Sequence, residues 1–193
     1  MIVAIYGSPR KGGNTEILLD AFLRPVQEQE EVRRFRLGEM KLQPCIACGH
    51  CKKTGRCIFE DEIAALYDTI DQADGLVIAS PIFFTNVSAQ AKAFIDRAQA
   101  AWERQRIPRL RMEPRPGRKG FFLAAGAMKT ELFMKSARMV IKSLMHTLEI
   151  PCTGDLFFQG VDEKGAIRNV PGALEQAEAA GKAFLLPADA VRR

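Results

Sequence analysis

No stretch of this 193-residue chain is apolar for long enough to cross a bilayer as a helix, which takes about 20 residues. A helical membrane role is excluded on that ground. No basic leader with a small-residue cleavage site precedes the first strand-like run, Ile2 to Tyr6, and the expected location is the cytoplasm. There is no internal repeat and no low-complexity tract, so one compact domain over residues 1–193 is expected. Histidine is scarce, with only His50 and His146, and neither follows a C-x2-C pair, which excludes covalent haem attachment. Five cysteines are few for a disulfide framework. A domain of this size buries about 70% of its unfolded surface and does not need covalent staples. Four of the five nevertheless fall within CIACGHCKKTGRC, residues 45–57. In a reducing compartment such a cluster points to metal binding or redox chemistry.

Strand and helix patterns alternate at the spacing of βαβ units. Ile2 to Tyr6 and Gly75 to Ala79 are continuous apolar runs, as strands buried on both faces should be. Glu31 to Leu37, Phe121 to Ala125 and Leu156 to Gly160 complete five strands. Ile63, Leu66, Tyr67 and Ile70 form one helical stripe, and Phe133, Ala137, Val140, Ile141, Leu144 and Leu148 form another. Thr15 to Val26, Ser88 to Gln105 and Gly172 to Leu186 supply the remaining helices. The predicted fold is α/β, a doubly wound parallel sheet of flavodoxin-like order 2-1-3-4-5, with a cysteine-rich loop after the second strand.

In such a sheet the ligand lies beyond the carboxyl ends of the strands, near the switch point between the first and third. GSPRKGGNT, Gly7 to Thr15, stands there. Its Gly7 to Gly12 spacing starts like a P-loop, but Gly13 and Asn14 occupy the places that need Lys and Ser or Thr, and GxGxxG is absent. What remains is a turn with Ser8, Arg10, Gly13, Asn14 and Thr15 leading into a helix N-terminus, where free N–H groups and a fixed charge favour a monophosphate. The alternative is a plain turn with Asn14 or Thr15 as its helix cap. SPIFFTN, Ser80 to Asn86, follows the third strand and offers Pro81, Ile82, Phe83, Phe84 and Asn86 beside a normally wet edge. A phosphate at one loop and a flat apolar surface at the other describe FMN.

The cysteines are spaced C-x2-C-x2-C-x5-C, and Cys45, Cys48 and Cys51 repeat the run that wraps an iron-sulfur cluster, with Cys57 as the fourth ligand. Structural zinc more often uses two C-x2-C pairs set well apart. CGHC also matches a thiol-disulfide motif, but that motif opens the helix of a thioredoxin-like unit and lacks the outer cysteines. A loop of reduced thiols holding no metal is the remaining alternative.

GSPRKGGNT, PCIACGHCKKTGRCIFEDE and ADGLVIASPIFF leading to KAFIDR together make residues 1–100 resemble the NADPH-dependent FMN reductase superfamily, specifically its iron-sulfur flavoprotein branch. The resemblance implies that Ser8, Arg10, Asn14 and Thr15 hold the FMN phosphate. It places Pro81 to Phe84 along the isoalloxazine and Gly126 near its other edge. It also makes Cys45, Cys48, Cys51 and Cys57 ligands of a 4Fe-4S cluster.

Flavin takes electrons in pairs and a cluster passes them singly, so the expected activity is an FMN-dependent oxidoreductase converting between the two. The donor would be ferredoxin or NAD(P)H, no side chain need act as a nucleophile, and the expected assembly is a homodimer or homotetramer. Alternatives are an NAD(P)H-dependent FMN or quinone reductase without a cluster, and a flavodoxin-like electron carrier. Asp96 and Arg97 are expected to pair at a helix end, and Met134, Met139 and Met145 to pack in the core. Glu103 to Gly120 carries seven Lys or Arg against two Glu. It is either a solvated excursion or a docking site for NADPH phosphate or an acidic partner such as ferredoxin. It has no nucleic-acid-binding motif.

Overall fold

The computed structural model describes residues 1–187; the side chain of Phe133 and residues 188–193 of the expected domain lie outside that description. Five strands, β1 (Ile2–Tyr6), β2 (Val32–Arg36), β3 (Gly75–Pro81), β4 (Lys119–Gly126) and β5 (Cys152–Gln159), form one sheet in the order β2-β1-β3-β4-β5. Every pairing is parallel, as predicted for a doubly wound sheet.

Alternating side chains of the central strands feed two separate cores. Ile2, Ala4, Tyr6, Val77, Ala79, Leu123 and Ala125 face α1 (Asn14–Val26) and α7 (Ala173–Leu185). Val3, Ile5, Leu76, Ile78, Phe122 and Ala124 face the other layer, made of α3 (Glu62–Gln72), α4 (Ala89–Arg97), α5 (Gln99–Arg106) and α6 (Leu132–Thr147). Burial on both faces explains why these strands read as unbroken apolar runs. The edge strand β2 differs, with Arg33 and Arg34 exposed along it. Charge on an edge discourages pairing with another chain.

Three boundaries depart from the sequence reading. The helix expected from Ser88 to Gln105 is broken at Ala98, whose N–H reaches back to Ile95 O at 3.0 Å in a tightened turn. Strand β5 begins at Cys152, four residues before Leu156, because Cys152, Gly154 and Asp155 extend the ladder with β4 across a register shift between Gly120 and Phe121. Its outer face is partly exposed, so polar residues are tolerated there. The cysteine loop holds a one-turn helix, α2 (Cys51–Thr54), closed by Gly55 in the left-handed region at φ 67°.

Candidate functional site

The carboxyl ends of β1, β3, β4 and β5 surround a cavity of about 390 Å³. Ser8, Arg10, Gly13, Asn14 and Thr15 form one wall, Pro81, Ile82, Phe83 and Phe84 another, and Gly126 lies at the end of β4. Ten of the eleven residues singled out for a flavin therefore share one space. Gly126 sits tightly against Ile82, where an added Cβ would come within 3.1 Å of the Ile82 Cβ.

Helix α1 is capped by Gly13 rather than by Asn14 or Thr15, and no side chain caps it. Its first-turn N–H groups are thus left for another acceptor, which is what an anion at a helix N-terminus requires. The loop is ordered from within. Ser8 Oγ accepts the Arg10 N–H at 3.1 Å, and Glu16 Oε2 accepts the Gly12 N–H at 2.9 Å. The Glu16 charge is balanced by Arg36 at 2.8 Å.

The Asn14 side chain also joins two loops. Its Nδ2 donates to Glu163 O at 2.9 Å, and its Oδ1 accepts the Ile167 N–H at 3.2 Å. It fastens the segment after β5, which brings Val161, Asp162 and Lys164 into the cavity wall. Sequence reasoning missed these three, because a lysine among polar loop residues carries no local signal.

Asn86 is not among the residues that line this cavity. It closes a tight turn with Phe83, accepting the Phe83 N–H at 2.8 Å and donating to Phe83 O at 3.0 Å, while its Oδ1 accepts the Val87 N–H. The two central residues, Phe84 (φ 46°) and Thr85 (φ 66°), are both left-handed. That conformation costs a β-branched residue about 1–3 kcal/mol, and such strain clusters at functional sites. It holds the Phe84 ring fully exposed at the mouth. Phe84, Ile82 and Gly126 also border an adjoining apolar cavity of about 400 Å³ with Thr85, Met128 and Met134.

Cys45, Cys48, Cys51 and Cys57 all line one further cavity, of about 330 Å³, against Arg97, Gln99, Ala100 and Glu103. The loop therefore lies over the α4–α5 corner. Among the described residues no three His, Cys, Asp or Glu side chains converge closely enough to hold a single metal ion. Ala47 (φ 53°) and Gly49 (φ 76°) turn the backbone between the first three cysteines. Burial, with the nearby Glu103 charge, pushes the Cys51 thiol up, so binding a metal would release its proton. His50 does not line this cavity; it lines an adjoining one, together with Cys57. Cys152, half-buried at the start of β5, is apart from the group.

Arg97 does not pair with Asp96, which instead meets Lys92 at 2.6 Å. Arg97 is buried and donates to both oxygens of Asp61, at 2.8 and 2.9 Å. The basic segment is also not a free patch. Arg104 forms a two-bond pair with Asp71 at 2.6 and 2.8 Å, and Arg115 meets Asp74 at 2.6 Å. Arg118 is buried and donates to Ile70 O, Ala73 O and Leu148 O. Arg106, Arg109 and Arg111 remain exposed. Met134 and Met145 are core residues, as expected, but Met139 is exposed.

The class defined by this sheet and its carboxyl-edge cavity is that of the flavodoxin-like proteins. The NAD(P)H:quinone oxidoreductase from Methanothermobacter marburgensis superposes with a TM-score of 0.71 at 14% identity, over 96% of each chain. The model of the NADPH-dependent FMN reductase family matches residues 1–151, and the chain belongs to that family. An iron-sulfur flavoprotein of Archaeoglobus fulgidus is 38% identical over 96 residues, which are 49% of this chain and 44% of that protein. One from Methanocaldococcus jannaschii is 36% identical over 99 residues, 51% of each. The chain thus spans about half the length of the curated relatives it matches. Among the described residues no helix is long and apolar enough to cross a membrane.

Proposed function

We propose that this chain is an FMN-dependent oxidoreductase carrying a 4Fe-4S cluster on Cys45, Cys48, Cys51 and Cys57, and that it moves electrons between ferredoxin or NAD(P)H and an acceptor. The observation that carries this reading is the opening of all four thiols onto one cavity. The family match and the names of the half-length relatives support it. The flavin, when bound, accepts a hydride as an electron pair, and the cluster passes electrons singly. Ser8, Arg10, Gly13, Asn14 and Thr15 would hold the phosphate, with the uncapped first turn of α1 supplying N–H donors. Lys164 adds a second cation on the opposite wall. Pro81 to Phe84 and Gly126 would border the ring, and the strained turn at Phe84 and Thr85 fixes that face in advance of binding. Assembly as a homodimer or homotetramer belongs to the same reading and is checked by light scattering.

A second reading, an NAD(P)H-dependent FMN or quinone reductase without a cluster, draws on the apolar cavity beside the ring wall, whose lining of Ile82, Phe84, Met128 and Met134 suits a flat apolar acceptor. One experiment separates the two. The anaerobically prepared protein is loaded with FMN and reduced stoichiometrically with NADPH or reduced ferredoxin, and the visible spectrum is followed. Bleaching of an iron-sulfur band together with the flavin supports the cluster reading. Bleaching of the flavin alone, in protein free of iron, supports the second.

A further inference from the structure

Arg97 combines features that a structural ion pair does not require. It sits at the end of α4 with its side chain 1% exposed. Beyond the two bonds to Asp61, Nη1 donates to Gln43 O at 2.8 Å and Nη2 reaches Phe59 O at 3.4 Å. Those two carbonyls flank the cysteine loop, one before Cys45 and one after Cys57. The guanidinium carbon also stands 5.1 Å from the centre of the Phe59 ring. The fifth donor, Nε–H, is buried and has no partner. An unsatisfied buried donor of a charged group is costly, and its retention calls for an acceptor. Arg97 and Cys57 line the same two cavities.

We infer that Arg97 is the positioning residue of the cysteine site: it ties both ends of the 45–57 loop to α4 and offers its free Nε–H to the Cys57 sulfur when that sulfur carries ligand charge. The inference rests on the cluster reading for its second half only. Hydrogen bonds to ligand sulfurs and nearby cations stabilise the more negative, reduced form of a cluster and so raise its potential. Lysine at this position would keep a charge but lose the planar fork and the Nε donor.

The test compares wild type, Arg97→Lys and Asp61→Asn. Hydrogen exchange of residues 44–59 in the metal-free chain reports on the tie, and redox titration of the iron-loaded protein, followed by its spectrum, reports on the donor. FMN binding serves as a control for the fold, since Arg97 does not line the flavin cavity. Arg97→Lys is expected to speed exchange in the loop by about tenfold or more, the loss of charge-assisted bonds being the cause. It should also lower the cluster potential while FMN affinity stays at the wild-type value. Asp61→Asn, which leaves Nε in place, should speed exchange and shift the potential less. If Arg97→Lys does not fold, the exchange prediction is read from Asp61→Asn. Wild-type exchange in the variants would overturn the tie, and an unchanged potential in Arg97→Lys would overturn the donor role. A wild type without iron would sink the cluster reading and the donor role together, leaving the tie to stand or fall on exchange alone.

Discussion

Asn14 and Glu163 lie 149 residues apart, yet the Asn14 side chain donates to the Glu163 carbonyl at 2.9 Å and so joins the first βα loop to the loop after β5. With the second bond, to the Ile167 N–H, this one side chain sets two walls of the flavin cavity against each other. Replacing it with alanine removes both bonds, each worth about 1 kcal/mol net. Asn14→Ala should therefore weaken FMN binding by about ten- to thirtyfold, as measured by quenching of flavin fluorescence. Affinity equal to wild type would show that the walls hold their places without it.

The basic segment should divide in two under mutation. Arg118 satisfies three buried carbonyls, so Arg118→Gln should cost about 3 kcal/mol or more in urea unfolding. Arg109→Gln, at an exposed position, should stay within about 0.5 kcal/mol of wild type. Similar losses for both would contradict the division.

Docking of an acidic donor is expected on the exposed members for which no carboxylate pair is found among the described residues, Arg106, Arg109 and Arg111. If they steer ferredoxin, changing all three to glutamine should slow flavin reduction by ferredoxin at low salt and leave reduction by a small neutral dye unchanged. The difference should vanish as salt rises, because exposed charges are screened within about 8 Å at physiological ionic strength. Equal rates with ferredoxin at every salt concentration would make the segment a solvated surface and nothing more.

The Asp61 carboxyl is partly buried, which opposes its ionisation, but hydrogen bonds from Arg97 and the Ala64 N–H outweigh this and hold it below the usual carboxylate range. A group depressed in this way contributes stability above its unfolded value, near 3.9, that is lost as pH falls through the lower folded value. Protection of residues 44–59 should thus be flat from neutral pH down to about 4 and fall below it, with the fall absent in Asp61→Asn. A loss of protection centred near pH 6 in wild type would assign the titration to another group.

Much of the fold was readable in advance, since β1 and the Gly75 to Ala79 run of β3 are apolar throughout and only a sheet covered on both faces needs that. The two loops of the candidate flavin site followed from strand order, because topology alone brings the ends of β1 and β3 together. What could not be read were the partners of charged side chains. Arg97, Arg104, Arg115 and Arg118 look alike in a count of charge, but pairing with Asp61, Asp71 and Asp74 and with buried carbonyls is set by packing between remote segments. Lys164 and the Asn14 side chain were hidden for the same reason. The break at Ala98 carries no glycine or proline to mark it.

We propose that Cys45, Cys48, Cys51 and Cys57 hold an iron-sulfur cluster in a chain that also binds FMN. The most direct test of that proposal is a count of iron, acid-labile sulfide, zinc and flavin in anaerobically purified protein, for wild type and for serine variants of Cys45, Cys48, Cys51, Cys57 and Cys152. The account predicts iron and sulfide in equal amounts, in the ratio of a 4Fe-4S cluster to one FMN. It also predicts loss of iron with FMN retained in each variant of the first four, and no change in Cys152→Ser. Zinc without sulfide, FAD in place of FMN, or iron that survives serine at any of the four positions would contradict it.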